Sequence, residues 1–273
     1  MTNILITGCS SGIGLETALF LKQNGIKVYA SARDEKDVEN LKNLGLTTFK
    51  IDVRNKDEIN FALNEILKED KKLDCVFNNA GFGQPGAVED LTVETLKNQF
   101  DTNVFGLLEV TNQAMKIFRN QGYGKIIQHS SVLGIISLKF RGAYNASKYA
   151  VEGLCDTLRL ETINSNIFIS TINTGPVTSK FRENALKNFK NHIDIEDSFW
   201  TNEYKKELSA RLEKKGDNSA FTLDASSVAK VVLKIINSNK PKPRYYVTKA
   251  TYILGFFKRI LPQSVLDKLL SRI

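Results

Sequence analysis

The chain has 273 residues, of which 42% are hydrophobic, 25% charged and 9% aromatic. That mixture excludes a disordered tail, a collagen-like fibre and a disulfide scaffold, and the length suits one α/β domain. The net charge of +8 favours anionic partners. Lysines are nevertheless mixed with acids along the chain, without a one-sided basic stripe carrying stacking aromatics, so no nucleic-acid partner is expected.

Cys9, Cys75 and Cys155 stand far apart without C-x-x-C spacing, and His192 has no Cys or His at ligand spacing. Neither a disulfide nor a metal site is expected, and a cytoplasmic location fits reduced thiols. The N-terminus shows no basic n-region or long apolar h-region, and no apolar run approaches the ~18 residues of a membrane span.

Short branched-apolar runs alternate with stretches of helical period, the pattern of a doubly wound parallel sheet with helices on both faces. Strands are expected near Ile4–Ile6, Lys27–Ser31, Thr47–Ile51, Leu73–Asn78, Lys125–Ser130, Ile167–Ile172 and Arg244–Val247. Helices are expected over Gly14–Asn24, Asp34–Asn43, Lys56–Glu69, Val93–Arg119, Tyr144–Asn164 and Ala225–Asn237, the last capped by Asp224. Residues 180–222 are highly charged yet hold Phe181, Phe189, Phe199, Trp200 and Tyr204, which predicts a small lobe of amphipathic helices. Its aromatics would cover an apolar substrate or form the lobe's own core. Residues 249–273 carry five basic residues against one acid, with Val265, Leu266, Leu269, Leu270 and Ile273 on one apolar face. This extension is expected to pack on its own domain or a second subunit in preference to an anionic membrane. All 273 residues are assigned to one domain.

After the first strand comes Thr7-Gly8-Cys9-Ser10-Ser11-Gly12-Ile13-Gly14, followed by a helix-forming run. Unpaired N–H groups and the helix dipole make such a turn an anion site, and glycine allows backbone to approach a pyrophosphate closely. The spacing is G-x-x-x-G-x-G, not the common G-x-G-x-x-G. Cys9, inside this turn, is expected to fill space. At the end of the second strand, Ala32 offers no carboxylate for a ribose 2′-hydroxyl, whereas Arg33 supplies a planar cation for a 2′-phosphate. NADP(H) is therefore favoured over NAD(H), with Asp34 blunting the preference.

Tyr144 and Lys148 lie four residues apart at a helix start, so they share a face. A neighbouring ammonium lowers the pKa of a phenol, which suits acid–base work. Among 8 Tyr, a Tyr-x-x-x-Lys pair arises about once by chance. A second copy, Tyr245 to Lys249, falls on an expected strand, where a four-residue step separates its ends, and should be structural. Ser130 and Ser131 end the strand before Tyr144, at the edge where open α/β sheets bind ligands. His129 should point away from Ser130 and serve in the core or a hydrogen bond.

Taken together, these residues resemble the short-chain dehydrogenase/reductases of ordinary length, over residues 1 to about 248. The likeness rests on Thr7-Gly8-x-x-x-Gly12-Ile13-Gly14, Asp52-Val53, Asn78-Asn79-Ala80-Gly81, Asn103, Ser131 and Tyr144-x-x-x-Lys148. Ser131 stands thirteen residues before Tyr144, the family's usual interval, and is chosen over Ser130. The resemblance implies a Rossmann-type sheet of about seven strands and a cofactor held by Gly8, Ser10, Ser11, Gly12, Ile13, Gly14 and Arg33. Asp52 and Val53 would meet the adenine, Asn79, Ala80 and Gly81 would line the cofactor, and Lys148 would hold its nicotinamide ribose. Tyr144 would transfer the proton, Ser131 orient the substrate oxygen, and Asn103 anchor a water leading to Lys148. The loop Thr174-Gly175-Pro176-Val177-Thr178-Ser179 departs from the family pattern at Thr174 and Ser179, but Gly175, Val177 and Ser179 should still reach the cofactor.

The segment around Arg33 and the C-terminal extension look most like the hydroxysteroid and retinol dehydrogenase branch and related bacterial aldehyde reductases. The implied activity is NADP(H)-dependent interconversion of a carbonyl and an alcohol on an apolar small molecule, by a homo-oligomer. Two alternatives are reduction of a 3-oxoacyl chain on a carrier and a non-catalytic NADP(H)-binding regulator.

Overall fold

The computed structural model describes residues 1–208 and 222–273. Its strands are β1 (Asn3–Ile6), β2 (Lys27–Ala32), β3 (Thr47–Lys50), β4 (Cys75–Asn78), β5 (Tyr123–Ser131), β6 (Asn166–Thr174) and β7 (Arg244–Tyr246). They form one parallel sheet in the order β3-β2-β1-β4-β5-β6-β7. Among the described residues, the helices of eight or more residues are α1 (Gly12–Gln23), α2 (Glu35–Asn43), α3 (Lys56–Asp70), α4 (Val93–Phe100) and α5 (Leu107–Gln121), then α6 (Gly142–Glu161), α7 (Phe181–His192), α8 (Ser226–Asn237), α9 (Lys249–Ile260) and α10 (Gln263–Leu270).

Alternation along each strand explains why both faces are covered. Ile4, Ile6, Val28, Ala30, Cys75 and Phe77 join one core with Ala18 and Leu21 of α1, Leu41 of α2 and Val232 of α8. Leu5, Tyr29 and Val76, one residue out of phase, join a second core with Ile59 of α3, Val110 of α5 and Val151 of α6. The first fixed element after β1 is therefore a helix whose N-terminus stands at the sheet's C-terminal edge, where the strands present their loops.

Several elements differ from the sequence-based expectation. β4 starts at Cys75, because the Leu73 and Asp74 N–H groups donate to the side chains of Gln121 and Asn3 rather than to a strand. The single helix expected over Val93–Arg119 is α4 and α5 joined by a π-helical segment, Asp101–Gly106. A Cβ on Gly106 would lie 2.6 Å from Val53 Cγ2, so the wider turn and the bare glycine let the segment pass over the β3–α3 loop. Asp224 meets the Ser227 N–H through its backbone carbonyl, and Ala225 takes the N-cap position of α8.

In the lobe, Phe189, Tyr204 and partly buried Trp200 form a local core with Ala185 and Ile193, so most of its aromatics pack on one another. Residues 209–221 of the expected lobe lie outside the described residues. In the extension, Leu266 and Leu270 are buried against Val132, Leu133 and Ile136, whereas Val265 and Ile273 are exposed. The apolar face expected there is thus divided between the domain and solvent. Among the described residues, no helix is long and apolar enough to cross a membrane.

Candidate active site

The glycine turn between β1 and α1 is built for close backbone approach. Gly8 and Gly12 have φ of +71° and +58°, which disfavour any side chain. A Cβ on Gly8 would meet Ala80 Cα at 2.7 Å, and one on Gly14 would meet the Gly8 carbonyl at 2.2 Å and Asn79 Nδ2 at 2.5 Å. Asn79 explains this tightness: its Nδ2 donates to the carbonyls of Thr7 and Gly8 at 3.1 and 2.9 Å. Thr7 Oγ1 accepts the N–H groups of Asn79 and Ala80, each at 3.1 Å. Cys9 is fully buried, and burial pushes its thiol up to about 12, which makes it a space-filling group without thiolate chemistry at neutral pH.

A cleft of about 490 Å³ runs from this turn across the ends of β4, β5 and β6. Gly8, Ser10, Ser11, Gly12, Ile13, Arg33, Asp52, Val53, Asn79, Ala80 and Gly81 face one part of it, and Ser131, Tyr144, Lys148, Gly175, Val177 and Ser179 face another. Two expected residues do not line it. Gly14 lies behind the turn, in contact with Gly8 and Asn79. Asn103 is buried on the π-helical segment, where Oδ1 accepts the Phe82 N–H and Nδ2 donates to the Phe82 carbonyl and to Ser147 Oγ. It thereby ties the turn after Gly81 to α6.

Arg33 is 65% exposed and reaches Asp34 at 3.5 Å, so its guanidinium is presented at the cleft rim with one acid beside it. Asp52 is clasped by Arg54 at 3.0 Å, which holds its carboxyl below the usual carboxylate range.

Chemistry-bearing groups gather at the other end. Ser131 lines the cleft, accepts the Leu133 N–H at 3.1 Å and donates to the Thr174 carbonyl at 3.3 Å. Ser130 points inward instead, toward Asn173, which separates the two serines by geometry. Burial drives the Tyr144 phenol above its ordinary value, and a hydrogen bond with Ser131 offsets part of that rise. Lys148 Nζ donates to the His129 carbonyl at 2.6 Å and lies 5.5 Å from the centre of the Tyr144 ring. At the phenol, burial therefore outweighs the lowering that the Lys148 charge was expected to bring. Tyr144 is held protonated at neutral pH. His129, forced down to about 3 by burial and then by the Lys148 charge, is neutral. Its Nδ1 meets Asn79 Oδ1 at 2.9 Å, the hydrogen-bonding role expected of it.

Some contributors carried no legible signal. Asn173 Nδ2 donates to Glu152 Oε1 at 2.6 Å and to the Ser131 carbonyl at 3.3 Å, while Arg244 Nε holds Glu152 Oε2 at 3.0 Å. This buried chain joins α6, β6 and β7 beneath Ser131. Phe181 stacks edge-on to Tyr144 with ring centres 5.3 Å apart and occupies the space where a Gly83 side chain would stand. Tyr245 and Lys249, the second Tyr-x-x-x-Lys copy, are split between β7 and α9, and Tyr245 Oη accepts the Lys242 N–H at 2.8 Å.

Residues 2–189 match the family model described as short chain dehydrogenase. The chain belongs to that family. It is 38% identical over 270 residues to the uncharacterized oxidoreductase YbbO of Escherichia coli (strain K12), covering 98% of this chain and 94% of that one. It is 36% identical over 193 residues to retinol dehydrogenase 8 of Homo sapiens, covering 67% of this chain and 61% of that one. A solved serine dehydrogenase complexed with NADP+ shares the fold at a TM-score of 0.78 and 21% identity, covering 92% of this chain and 96% of that one. As a short-chain dehydrogenase this protein is an oxidoreductase of the CH–OH type.

Within this short-chain dehydrogenase, the buried Lys148 gives a stability signature. Burial pulls its ammonium from 10.5 down to about 8. The unfolded chain then holds this proton more tightly, so the stability tied to this group is complete above about 10.5 and lost as pH falls through about 8. Lys148→Met is expected to gain up to about 3 kcal/mol at pH 7, less about 1 kcal/mol for the lost hydrogen bond to His129. Thermal unfolding at pH 7 and pH 10 checks this: the gap between variant and parent should shrink at the higher pH.

Proposed function

We propose that this chain interconverts a carbonyl and an alcohol on an apolar small molecule, with NADP(H) preferred over NAD(H). The observation that carries it is the convergence of Ser131, Tyr144 and Lys148 at one end of a cleft whose other end is the glycine cradle of Gly8, Gly12 and Gly14. That cradle fits a dinucleotide, because Ser10, Ser11, Gly12 and Ile13 line the cleft at the N-terminus of α1, where first-turn N–H groups have no helical carbonyl to meet. Ser10, Ser11 and Ile13 would hold the pyrophosphate, Arg33 the 2′-phosphate, Asp52 and Val53 the adenine, and Val177 and Ser179 the carboxamide. A bound nicotinamide supplies or takes up the hydride.

The protein's own residues handle the oxygen and its proton. Ser131 and Tyr144 both face the cleft and interact with each other, so a carbonyl oxygen placed between them can take one hydrogen bond from the Tyr144 hydroxyl and, once Ser131 turns its proton from the Thr174 carbonyl, a second from Ser131. Tyr144, kept protonated by burial, gives its proton to that oxygen as the bond order falls. Lys148 lies against the Tyr144 ring and holds its own proton loosely, which suits it to stabilise the phenolate left behind. Asn173, Glu152 and Arg244 fix the backbone of Ser131 from below. Phe181 forms an apolar wall beside Tyr144 and favours an apolar group next to the reacting carbon.

The test is oxidation of NADPH and of NADH against aliphatic aldehydes, aromatic aldehydes and bulky cyclic ketones. NADPH-dependent turnover of the apolar carbonyls is expected. Turnover of acyl thioesters alone would overturn the substrate class, and cofactor binding without turnover of any carbonyl would overturn the enzymatic reading. Arg33→Ala is expected to raise the KM for NADPH about tenfold while leaving that for NADH within about twofold, the loss of one exposed phosphate contact. Steady-state titration of both cofactors reads the difference.

A further inference from the structure

Helix α9 has two apolar faces: one packs inside the protein, and the other is largely exposed among the described residues, with Tyr252 resting edge-on against Tyr246 of β7. Leu254 and Phe257 turn inward and pack with Leu261, Leu266 and Leu270 against the segment that follows Ser131. Tyr252, Ile253, Phe256 and Ile260 turn outward, 59%, 44%, 58% and 56% exposed. Three of these recur at four-residue steps with Ile253 beside them, so they form one stripe along the helix. Lys249 and Arg259 are exposed on the same helix, and no Asp or Glu occurs between Lys249 and Ile260.

An aromatic-rich stripe bordered only by cations has a definite complement. A second copy of the same face would bring two sets of Lys249 and Arg259 together with no acid of the helix to pair them, which opposes a two-fold contact through α9. An anionic bilayer surface answers both features, since it takes apolar side chains into the acyl boundary and attracts the cations at headgroup level. At 12 residues, α9 is about 18 Å long, too short to span and suited to lying flat.

We propose that α9 docks this protein on anionic phospholipid bilayers. The placement of the cleft gives the docking a purpose. Leu138 lines both the catalytic cleft and the 270 Å³ hollow beneath α10, and Tyr144 packs at the edge of the cluster that seats α9. A docked α9 brings the reacting end of the cleft close to the lipid, so that an apolar carbonyl dissolved in the membrane reaches Tyr144 without crossing bulk water. This consequence rests on the carbonyl–alcohol reading above, whereas the docking itself does not.

Co-sedimentation of the full chain with vesicles of phosphatidylcholine, with and without phosphatidylglycerol, tests the docking with neither cofactor nor substrate present. The chain should pellet with the anionic vesicles, stay in solution with the zwitterionic ones, and be released by high salt. Phe256→Ser with Ile260→Ser, and separately Lys249→Glu with Arg259→Glu, should each lower vesicle affinity by about tenfold or more, with the unfolding midpoint unchanged. Failure of the parent chain to bind anionic vesicles overturns the proposal. So does undiminished binding of both double variants, or a change from dimer to monomer in light scattering as their only effect. Because turnover of a water-soluble carbonyl is measured separately, loss of the enzymatic reading leaves the docking result standing, and the reverse holds too.

Discussion

Tyr144→Phe is expected to lower carbonyl reduction about 10³-fold while cofactor affinity stays within about threefold, the scale set by losing one positioned proton donor. The ring contact with Phe181 and the packing against the Ser131 segment survive the change, because both involve the ring and not the hydroxyl. What disappears is the proton that burial keeps on the phenol. The direction of the reaction should show the same origin. Alcohol oxidation needs the phenolate, so its rate should climb with pH across the alkaline range, whereas carbonyl reduction should vary little below the point where Lys148 loses its proton, at about 8. Rate profiles in both directions, with parent and variant, read these effects.

Gly14→Ala should do comparable damage at the opposite end of the cleft. The added methyl would sit 2.2 Å from the Gly8 carbonyl and 2.5 Å from Asn79 Nδ2, and both are held in place by the Asn79 hydrogen bonds to Thr7 and Gly8. Neither neighbour is the free end of a flexible side chain. Either α1 shifts away from β1 or the Asn79 clamp opens, and an overpacked site of this kind costs about 1–3 kcal/mol. Because the turn is also the proposed seat of the cofactor phosphates, cofactor affinity should fall about 100-fold or more. Gly153→Ala in α6 is the control. Nothing lies within 4 Å of its Cβ position, so replacing a helical glycine there should stabilise by about 0.5–1 kcal/mol. Thermal unfolding together with cofactor titration separates the two variants.

Most of the fold could be read from the chain because strand and helix periods rarely conflicted. Ile4, Leu5 and Ile6 alternate between two cores, and the amphipathic helices that follow cover each face. The elements that escaped reading were those decided by contacts distant in sequence. The π-helical turn at Asp101–Gly106 depends on how close Gly106 must pass to Val53, which stands 53 positions earlier in the chain and leaves no local cue. The shortening of β4 depends on side chains of Asn3 and Gln121 taking two backbone donors.

The site divides in the same way. Its motif residues were legible because each glycine, Ser131, Tyr144 and Lys148 sits at a spacing that a strand edge or a helix face converts into proximity. Thr7 stood inside the motif, yet its hydroxyl's two accepted hydrogen bonds required the position of Asn79 and Ala80. The Arg244, Glu152 and Asn173 chain joins three elements across the sheet and has no sequence spacing at all. The charge state of Tyr144 is the instructive case. Helical spacing placed the Lys148 ammonium over the Tyr144 ring at 5.5 Å, but its hydrogen bond goes to the His129 carbonyl at 2.6 Å, and burial of the phenol, which no spacing reveals, sets the direction of its shift.

This cleft is expected to reduce an apolar carbonyl by direct transfer from a nicotinamide, with Tyr144 as the proton source. A single-turnover experiment with NADPH carrying deuterium at the transferable position tests it most directly, using a carbonyl from the panel and mass analysis of the alcohol. One deuterium on the carbinol carbon with the parent chain, and none above background with Tyr144→Phe in the same interval, is the expected result. Unlabelled carbonyl recovered from parent chain that demonstrably binds NADPH, across the whole panel, would overturn Tyr144-assisted hydride transfer in this cleft.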